Sequence, residues 1–359
     1  MSATPKTQFG YGYNINHKKI QKFNNLPIPK VGPNEILLKI EAAGLCLSDP
    51  HTLIAGPLPQ QPPLKNKEKF IMGHEIAGSV YEIGSEIEKN LKNTNNKYQK
   101  GKRFALQINY CCGHCEFCRI GLDGSCSSTN QAYGLNEDGG FQQYLLIKNL
   151  RTLLPIPDNV SFEDAAVCTD SVLTPFHAIQ KVKHKIQPTS KILVQGCGGL
   201  GLNAIQILKN YGCFIVATDK KEDIKSTALS YGANEFYNDI EEDSNHESQS
   251  FDIIFDFVGI QQTVDISNNY LKKRGTLSMI GLGKFQLILP NFLFAVREIE
   301  VIYNFGGNSI EQIECMKWIS KGLIKPNVTI VDFNKLPDAL EDLINDKVRG
   351  RVVFRPNKL

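Results

Sequence analysis

The chain has 359 residues, more than one hydrophobic core usually supports, so two domains are expected. Forty basic against thirty-seven acidic residues leave a formal charge of +3, too balanced to call for nucleic acid or a membrane surface. No apolar run is long enough to span a bilayer, and the opening MSATPKTQFG has no apolar secretion core, so a cytoplasmic location is expected.

From the start, short apolar runs alternate with Gly and Pro: EILLKIEAAGLC (35–46), EIAGSVYEIG (75–84), KRFALQINY (102–110) and GGFQQYLLIK (139–148). Their length and β-branched content predict strands of an antiparallel, partly barrel-like domain. Two polar segments, the proline-rich 57–70 and the Lys/Asn-rich 88–102, read as surface insertions. Three segments here carry metal-ligand types. They are GLCLSDPH (44–51) with Cys46, GHEIAG (73–78) with His74 and Glu75, and AAVCTDS (165–171) with Cys168 and Asp170. Thiolate, imidazole and carboxylate together suit Zn²⁺, and three protein ligands with one open position define a catalytic site. Spacing alone does not join them, because a Cys after a strand is usually a small buried hydrophobe.

Between these segments lie Cys112, Cys115, Cys118 and Cys126, four thiols within fifteen residues. A four-sulfur shell closes a tetrahedral zinc and leaves no open position, which marks a structural metal. A disulfide cluster would need an oxidising compartment. A bacterial-type iron–sulfur run continues with x₃-C-P, whereas seven residues precede Cys126 here and Ser127 follows it. Zinc is therefore expected, with Cys111 offering a second register for the first ligand.

From about 172 the pattern changes. KILVQG, CFIVATD, FDIIFDFVG and GTLSMIGLG read as buried strands separated by helical patterns such as LGLNAIQILKNYG, which predicts a doubly wound parallel sheet. KILVQ runs into Gly196-Cys197-Gly198-Gly199-Leu200-Gly201 and then a helix, the context a dinucleotide loop requires. Gly196 permits the turn, Gly198 lets the backbone approach a pyrophosphate, and Gly201 lets helix and strand pack. Gly196, Gly198, Gly199 and Gly201 are read as cofactor-binding, with the pyrophosphate at the helix N-terminus. Asp219 ends the second strand, where a carboxylate takes the ribose hydroxyls of NAD and repels a 2′-phosphate. Lys220 and Lys221 pull toward NADP, which is the less favoured cofactor.

Taken together, these motifs resemble the zinc-dependent medium-chain alcohol dehydrogenase family. Gly73, His74, Glu75, Gly78, Gly84 and Ile87 meet the family's zinc signature, and the four-Cys lobe, PDNVSFEDAA (157–166) and the glycine loop follow in the family's order. Within the family, TDSVLTPFHAI (169–179) is most similar to yeast secondary alcohol dehydrogenases, also called carbonyl reductases. The resemblance implies a GroES-like, partly β-barrel catalytic domain (1–171 with 307–359) and a Rossmann NAD-binding domain (172–306). It implies Cys46, His74 and Asp170 as catalytic zinc ligands, with Glu75 an exchangeable fourth, so that each chain holds two zinc ions. It further implies Asp49 as the acid orienting His74, Ser48 and His51 as the proton relay, and Arg351 near the cofactor pyrophosphate. The implied reaction moves a hydride between NAD(H) and a secondary alcohol or ketone through a zinc-bound alkoxide. A polyol or primary-alcohol dehydrogenase, or a non-catalytic zinc-binding relative, are the alternatives. Relatives are homodimers or homotetramers joined through the Rossmann sheet edge, where YNFGGN (303–308) departs from the usual wording. Pro50 stands between Asp49 and His51 where relatives usually carry Leu or another non-proline residue, and its fixed φ leaves the aim of Asp49 and the reach of His51 open.

Overall fold

The computed structural model describes residues 5–14, 16–55, 69–90, 97–243 and 245–358. Most of the proline-rich insertion (57–68), and residues 91–96 of the second, lie outside the described residues. The chain folds into two compact units: Met1–Asp170 with Asn308–Ser320 and Val328–Leu359, and Ser171–Gly307 with Lys321–Asn327. Lys321–Asn327 goes with the second unit because Gln206 binds Lys325 in both directions. Its Nε2 donates to Lys325 O (3.1 Å) and its Oε1 accepts from Lys325 N–H (2.8 Å).

The first unit opens with β1 (Thr7–Asn14) and β2 (His17–Pro27), a hairpin the sequence reading did not foresee. It continues with β3 (Ile36–Leu45), β4 (Lys69–Ile71), β5 (Glu75–Ile83), β6 (Arg103–Leu106), β7 (Tyr144–Ile147) and β8 (Leu153–Pro155). The runs 102–110 and 139–148 form strands over only their ends. Their remaining residues bond irregularly, Tyr133 N–H to Ile108 O (3.0 Å) and Phe141 N–H to Met72 O (2.9 Å). In the second unit come β9 (Lys191–Gln195), β10 (Phe214–Thr218), β11 (Glu235–Tyr237), β12 (Phe251–Asp256), β13 (Leu271–Met279) and β14 (Glu300–Tyr303). They form one parallel sheet in the order β11-β10-β9-β12-β13-β14, the 3-2-1-4-5-6 order of a dinucleotide-binding Rossmann fold. The chain ends with β15 (Val328–Val331) and β16 (Arg351–Phe354), which return to the first unit's sheet, β15-β16-β3-β5-β6-β8 with β7 also on β3.

β3 is the hub of that sheet. It pairs antiparallel with β16, β5 and β7, and helix Phe162–Val167 packs across β3, β5 and β16. The register aligns one end of three strands: Gly44 faces Glu75 on β5 and Val353 on β16. Cys46, His74 and Arg351 therefore emerge side by side. Beneath them Phe141, Phe333 and Phe354 are fully buried and their rings meet within about 6 Å, closing the core under the site. Phe354→Ala should open a cavity there and cost about 3–5 kcal/mol, read as a lower urea midpoint for the first unit.

Candidate metal centres and dinucleotide loop

Among the described residues two groups of metal-ligand side chains converge: Cys112, Cys115, Cys118 and Cys126, and Cys46, His74 and Asp170. In the first, Cys112 Sγ lies 3.9 Å from Cys118 Sγ, and Cys115 Sγ 3.9 Å from Cys126 Sγ. A tetrahedron of Zn–S bonds of about 2.3 Å has edges of about 3.8 Å, so the four thiols already stand at zinc spacing. Backbone N–H groups of Cys118 and Ser127 bring Cys115 down to about 5, while burial pushes Cys118 up to about 12. The N–H of Cys115 also donates to Cys112 Sγ (3.2 Å), and that of Cys112 to Cys126 Sγ (3.4 Å). Cys111 is buried outside the group, so the ligand register begins at Cys112.

In the second group each ligand comes from a different element. Cys46 follows β3, His74 precedes β5, and Asp170 sits in the π-helical turn Cys168–Val172 after helix Phe162–Val167. Such one-turn widenings recur at functional sites, and this one carries the carboxylate out of the helical path. Cys46 Sγ lies 3.2 Å from Asp170 Oδ2, and His74 Nε2 lies 3.6 Å from the same oxygen. Cys168, the competing ligand, is fully buried and outside the group. His74 Nδ1 faces Asp49 Oδ1 at 3.3 Å, which leaves Nε2 for a metal, the usual arrangement behind a ligating histidine. Burial opposes the His74 cation, but Asp49, Asp170 and Cys46 outweigh it and raise its pKa well above the usual range. The donor set and its closeness fit zinc.

Pro50 does not disturb this arrangement. It lies in the first turn of helix Ser48–Ala55, where backbone N–H groups have no helical partner to lose. Asp49 stays fully buried, its Oδ2 accepting from Cys46 N–H at 2.9 Å. Ser48 Oγ is 3.7 Å from Cys46 Sγ, and His51 is exposed on the same helix.

Glu75 and Arg351 complete the cluster. Arg351, expected beside a cofactor pyrophosphate, is buried in the first unit. Its Nε and Nη2 donate to Glu75 Oε1 (2.9 and 2.7 Å), and Nη2 also to Asp170 Oδ2 (3.1 Å). Here it acts as a counter-charge of the metal cluster. Burial pushes Glu75 up to about 7, with Arg351 and His74 pulling down and Asp170 up. The sequence reading gave Gly44 no role. A Cβ there would sit 2.0 Å from Glu75 Oε2, so glycine makes room for this carboxylate.

In the second unit the glycine loop behaves as its motif requires. Gly196 has φ +88°, a Cβ on Gly201 would lie 1.8 Å from Gly196 O, and nothing stands within 4 Å of one on Gly198. Asp219 Oδ2 accepts from Cys197 N–H (2.7 Å) and Oδ1 from Lys221 N–H (3.0 Å), which fixes the acid against the loop.

Family models agree with this geometry. Residues 32–158 match the alcohol dehydrogenase GroES-like domain and 199–321 the zinc-binding dehydrogenase domain. An NAD-dependent alcohol dehydrogenase of Sulfurisphaera tokodaii is 31% identical over 346 residues, 93% of this chain and 96% of that one. The chain belongs to the zinc-dependent medium-chain alcohol dehydrogenases. Among solved structures of that family, an acetophenone reductase from Geotrichum candidum, in complex with NAD, is 35% identical with a TM-score of 0.88 over 100% of both chains. The Aeropyrum pernix alcohol dehydrogenase is 26% identical with a TM-score of 0.85, covering 97% of this chain and 100% of that one. As a member of this family the chain is an oxidoreductase with zinc. Cys115→Ser should lower its zinc content from two ions to one, read by metal analysis after dialysis, with the Cys46 group still filled.

Proposed function

We propose that this enzyme interconverts a secondary alcohol and a ketone with NAD(H). The observation that carries the reading is the convergence of Cys46, His74 and Asp170, the first two aligned by the β3–β5 register and the third carried in on the π-helical turn, beside Glu75 and Arg351. Zinc held by Cys46, His74 and Asp170 would polarise a carbonyl or acidify an alcohol. NAD would accept the hydride that the alcohol carbon gives up. The protein's own groups do the rest. Asp49 holds the His74 ring by Nδ1, so that Nε2 stays turned to the metal position. Ser48 Oγ, next to Cys46, would accept the proton that an alcohol loses while handing on its own hydroxyl proton, and the exposed His51, three residues on in one helix, would carry that proton to solvent. In the reducing direction the same two residues return that proton to the product oxygen. Arg351 pairs with both Glu75 and Asp170 and offsets part of their charge, which lessens the cluster's repulsion of a substrate oxygen.

In the second unit the open space above Gly198 leaves a pyrophosphate room against the loop. Asp219, locked by two backbone N–H groups, faces ribose hydroxyls and disfavours a 2′-phosphate. Support for a ketone substrate comes from the Geotrichum candidum acetophenone reductase, which matches this chain along its full length. The expected outcome is NADH oxidation that depends on aryl or alkyl ketones, and its loss in Asp170→Ala together with one of the two zinc ions. Turnover with primary aldehydes or polyols alone would exclude the reading. Asp219→Ala should narrow the NADH over NADPH preference at least tenfold in kcat/KM.

The assembly we propose is a homodimer through the edge strand β14. Among the described residues that edge pairs with β13 on one side only, and the flanking chain exposes Phe285, Ile288 and Phe292 at 80%, 78% and 76%. An unpaired edge beside so much apolar surface is a self-pairing template. Phe292→Asp should shift the protein toward monomer in sedimentation analysis. A reducing cytoplasm would keep the proposed cysteine ligands free for zinc; among the described residues no helix is long and apolar enough to cross a membrane.

A further inference from the structure

Helix Ser309–Ser320 is clamped at three places, and all three lead to a metal centre or its support. At its N-terminus stands Asp123, which lies inside the four-cysteine loop between Cys118 and Cys126 and is only 4% exposed. Its Oδ1 accepts from Gln107 Nε2 (3.1 Å) and Ser309 N–H (2.8 Å), and its Oδ2 accepts from the Ser309 hydroxyl. A buried carboxylate facing three donors is a strong tie, because each of these bonds is made to a charge. Beside it Gly121 leaves no gap for a side chain: a Cβ there would come within 2.6 Å of Ile310.

Midway along the helix Cys315 is fully buried, and the equally buried Cys168 thiol beside it, after burial itself, pushes its pKa up. Cys168 opens the π-helical turn and lies two residues before Asp170. At the C-terminus Ser320 and Asn159 exchange two bonds, Oγ to Oδ1 (2.7 Å) and Nδ2 to the Ser320 carbonyl (2.8 Å). Asn159 stands just before helix Phe162–Val167, the helix that runs into the same turn. One rigid element thus touches the four-cysteine loop at one end and the support of Asp170 at its middle and far end. All of these residues belong to the first unit.

We propose that Asp123 is a positioning residue for the second metal centre. It pins helix Ser309–Ser320 to the four-cysteine loop, and the helix in turn holds the Cys168–Val172 turn where Asp170 meets Cys46 and His74. Contiguous packed side chains and hydrogen bonds are the physical route for such coupling. A filled four-cysteine site would then tighten the other site without touching it. The inference rests on the reading of Asp170 as a metal ligand.

The test uses the zinc-loaded protein and two readouts that need no turnover. One is competition for zinc with a chromophoric chelator; the other is amide hydrogen exchange at 164–172 and 309–320. In Asp123→Ala the second-site zinc should be surrendered at about tenfold lower chelator concentration, the usual weight of a partner behind a ligand. The four-cysteine zinc should be retained, and exchange should quicken at both segments. Asp123→Asn keeps an acceptor oxygen for Gln107 and Ser309 and should restore most of the affinity. If Asp123→Ala does not fold, Ser309→Ala deletes only one hydroxyl and should loosen the second zinc about threefold. Faster exchange confined to 309–312, with second-site affinity unchanged in the variant that folds, would overturn the proposal. Failure of the ligand reading looks different: unaltered protein would surrender only one zinc.

Discussion

Cys46, Glu75 and Asp170 gather three acidic groups at one end of the first unit's sheet, and Asp49 adds a fourth behind His74. A protein interior tolerates such charges only where a cation or several hydrogen-bond donors face each of them. The chain supplies Arg351 and His74. Arg351 meets Glu75 and Asp170 directly, while His74 stands between Asp49 and Asp170. With a thiolate and two carboxylates against one guanidinium, a divalent ion brings the cluster near neutrality and leaves His74 free to bind it through Nε2. Much else in the unit serves to hold these groups in place. The β16-β3-β5 register aligns their strands, Gly44 gives Glu75 its space, and the π-helical turn turns Asp170 inward.

The second unit solves a different problem with backbone rather than charge. Its glycines shape a loop with positive φ at the turn, a tight helix contact at Gly201 and open space over Gly198. In the proposed reading a pyrophosphate there would meet N–H groups and the positive end of helix Gly201–Lys209. Asp219 is tied to this loop by Cys197 N–H. Its two backbone bonds make it a fixed feature of the loop.

How much of this was legible in the sequence follows from how local each signal is. The four cysteines and the glycine loop are short motifs whose partners lie within a few residues, and the structure assembles them as read. The joining of Asp170 and His74 to Cys46 was legible only through family resemblance, because the contact between Cys46 and Asp170 spans 124 residues. The ion pairs of Arg351 gave no sequence signal for the same reason. Its partner Glu75 lies 276 positions away, and only the antiparallel pairing of β16 with β3 brings them together. Pro50 left the aim of Asp49 open: proline usually disrupts a helix, but in a first turn it removes no bond. Asp123 gave no signal at all, since its acceptor role depends on Ser309, 186 residues on. The strand runs 102–110 and 139–148 were over-read because apolar content reports burial, whereas strand length depends on regular pairing.

The central claim is that Cys46, His74 and Asp170 bind zinc while Arg351 balances the remaining charge. Diffraction from crystals of the purified enzyme on both sides of the zinc absorption edge tests it most directly. Two anomalous peaks are predicted, one among the four cysteines and one bonded to Cys46 Sγ, His74 Nε2 and an Asp170 oxygen, with Arg351 still on Glu75. A single peak in the four-cysteine loop, or a second one ligated by Cys168 in place of Asp170, would contradict it.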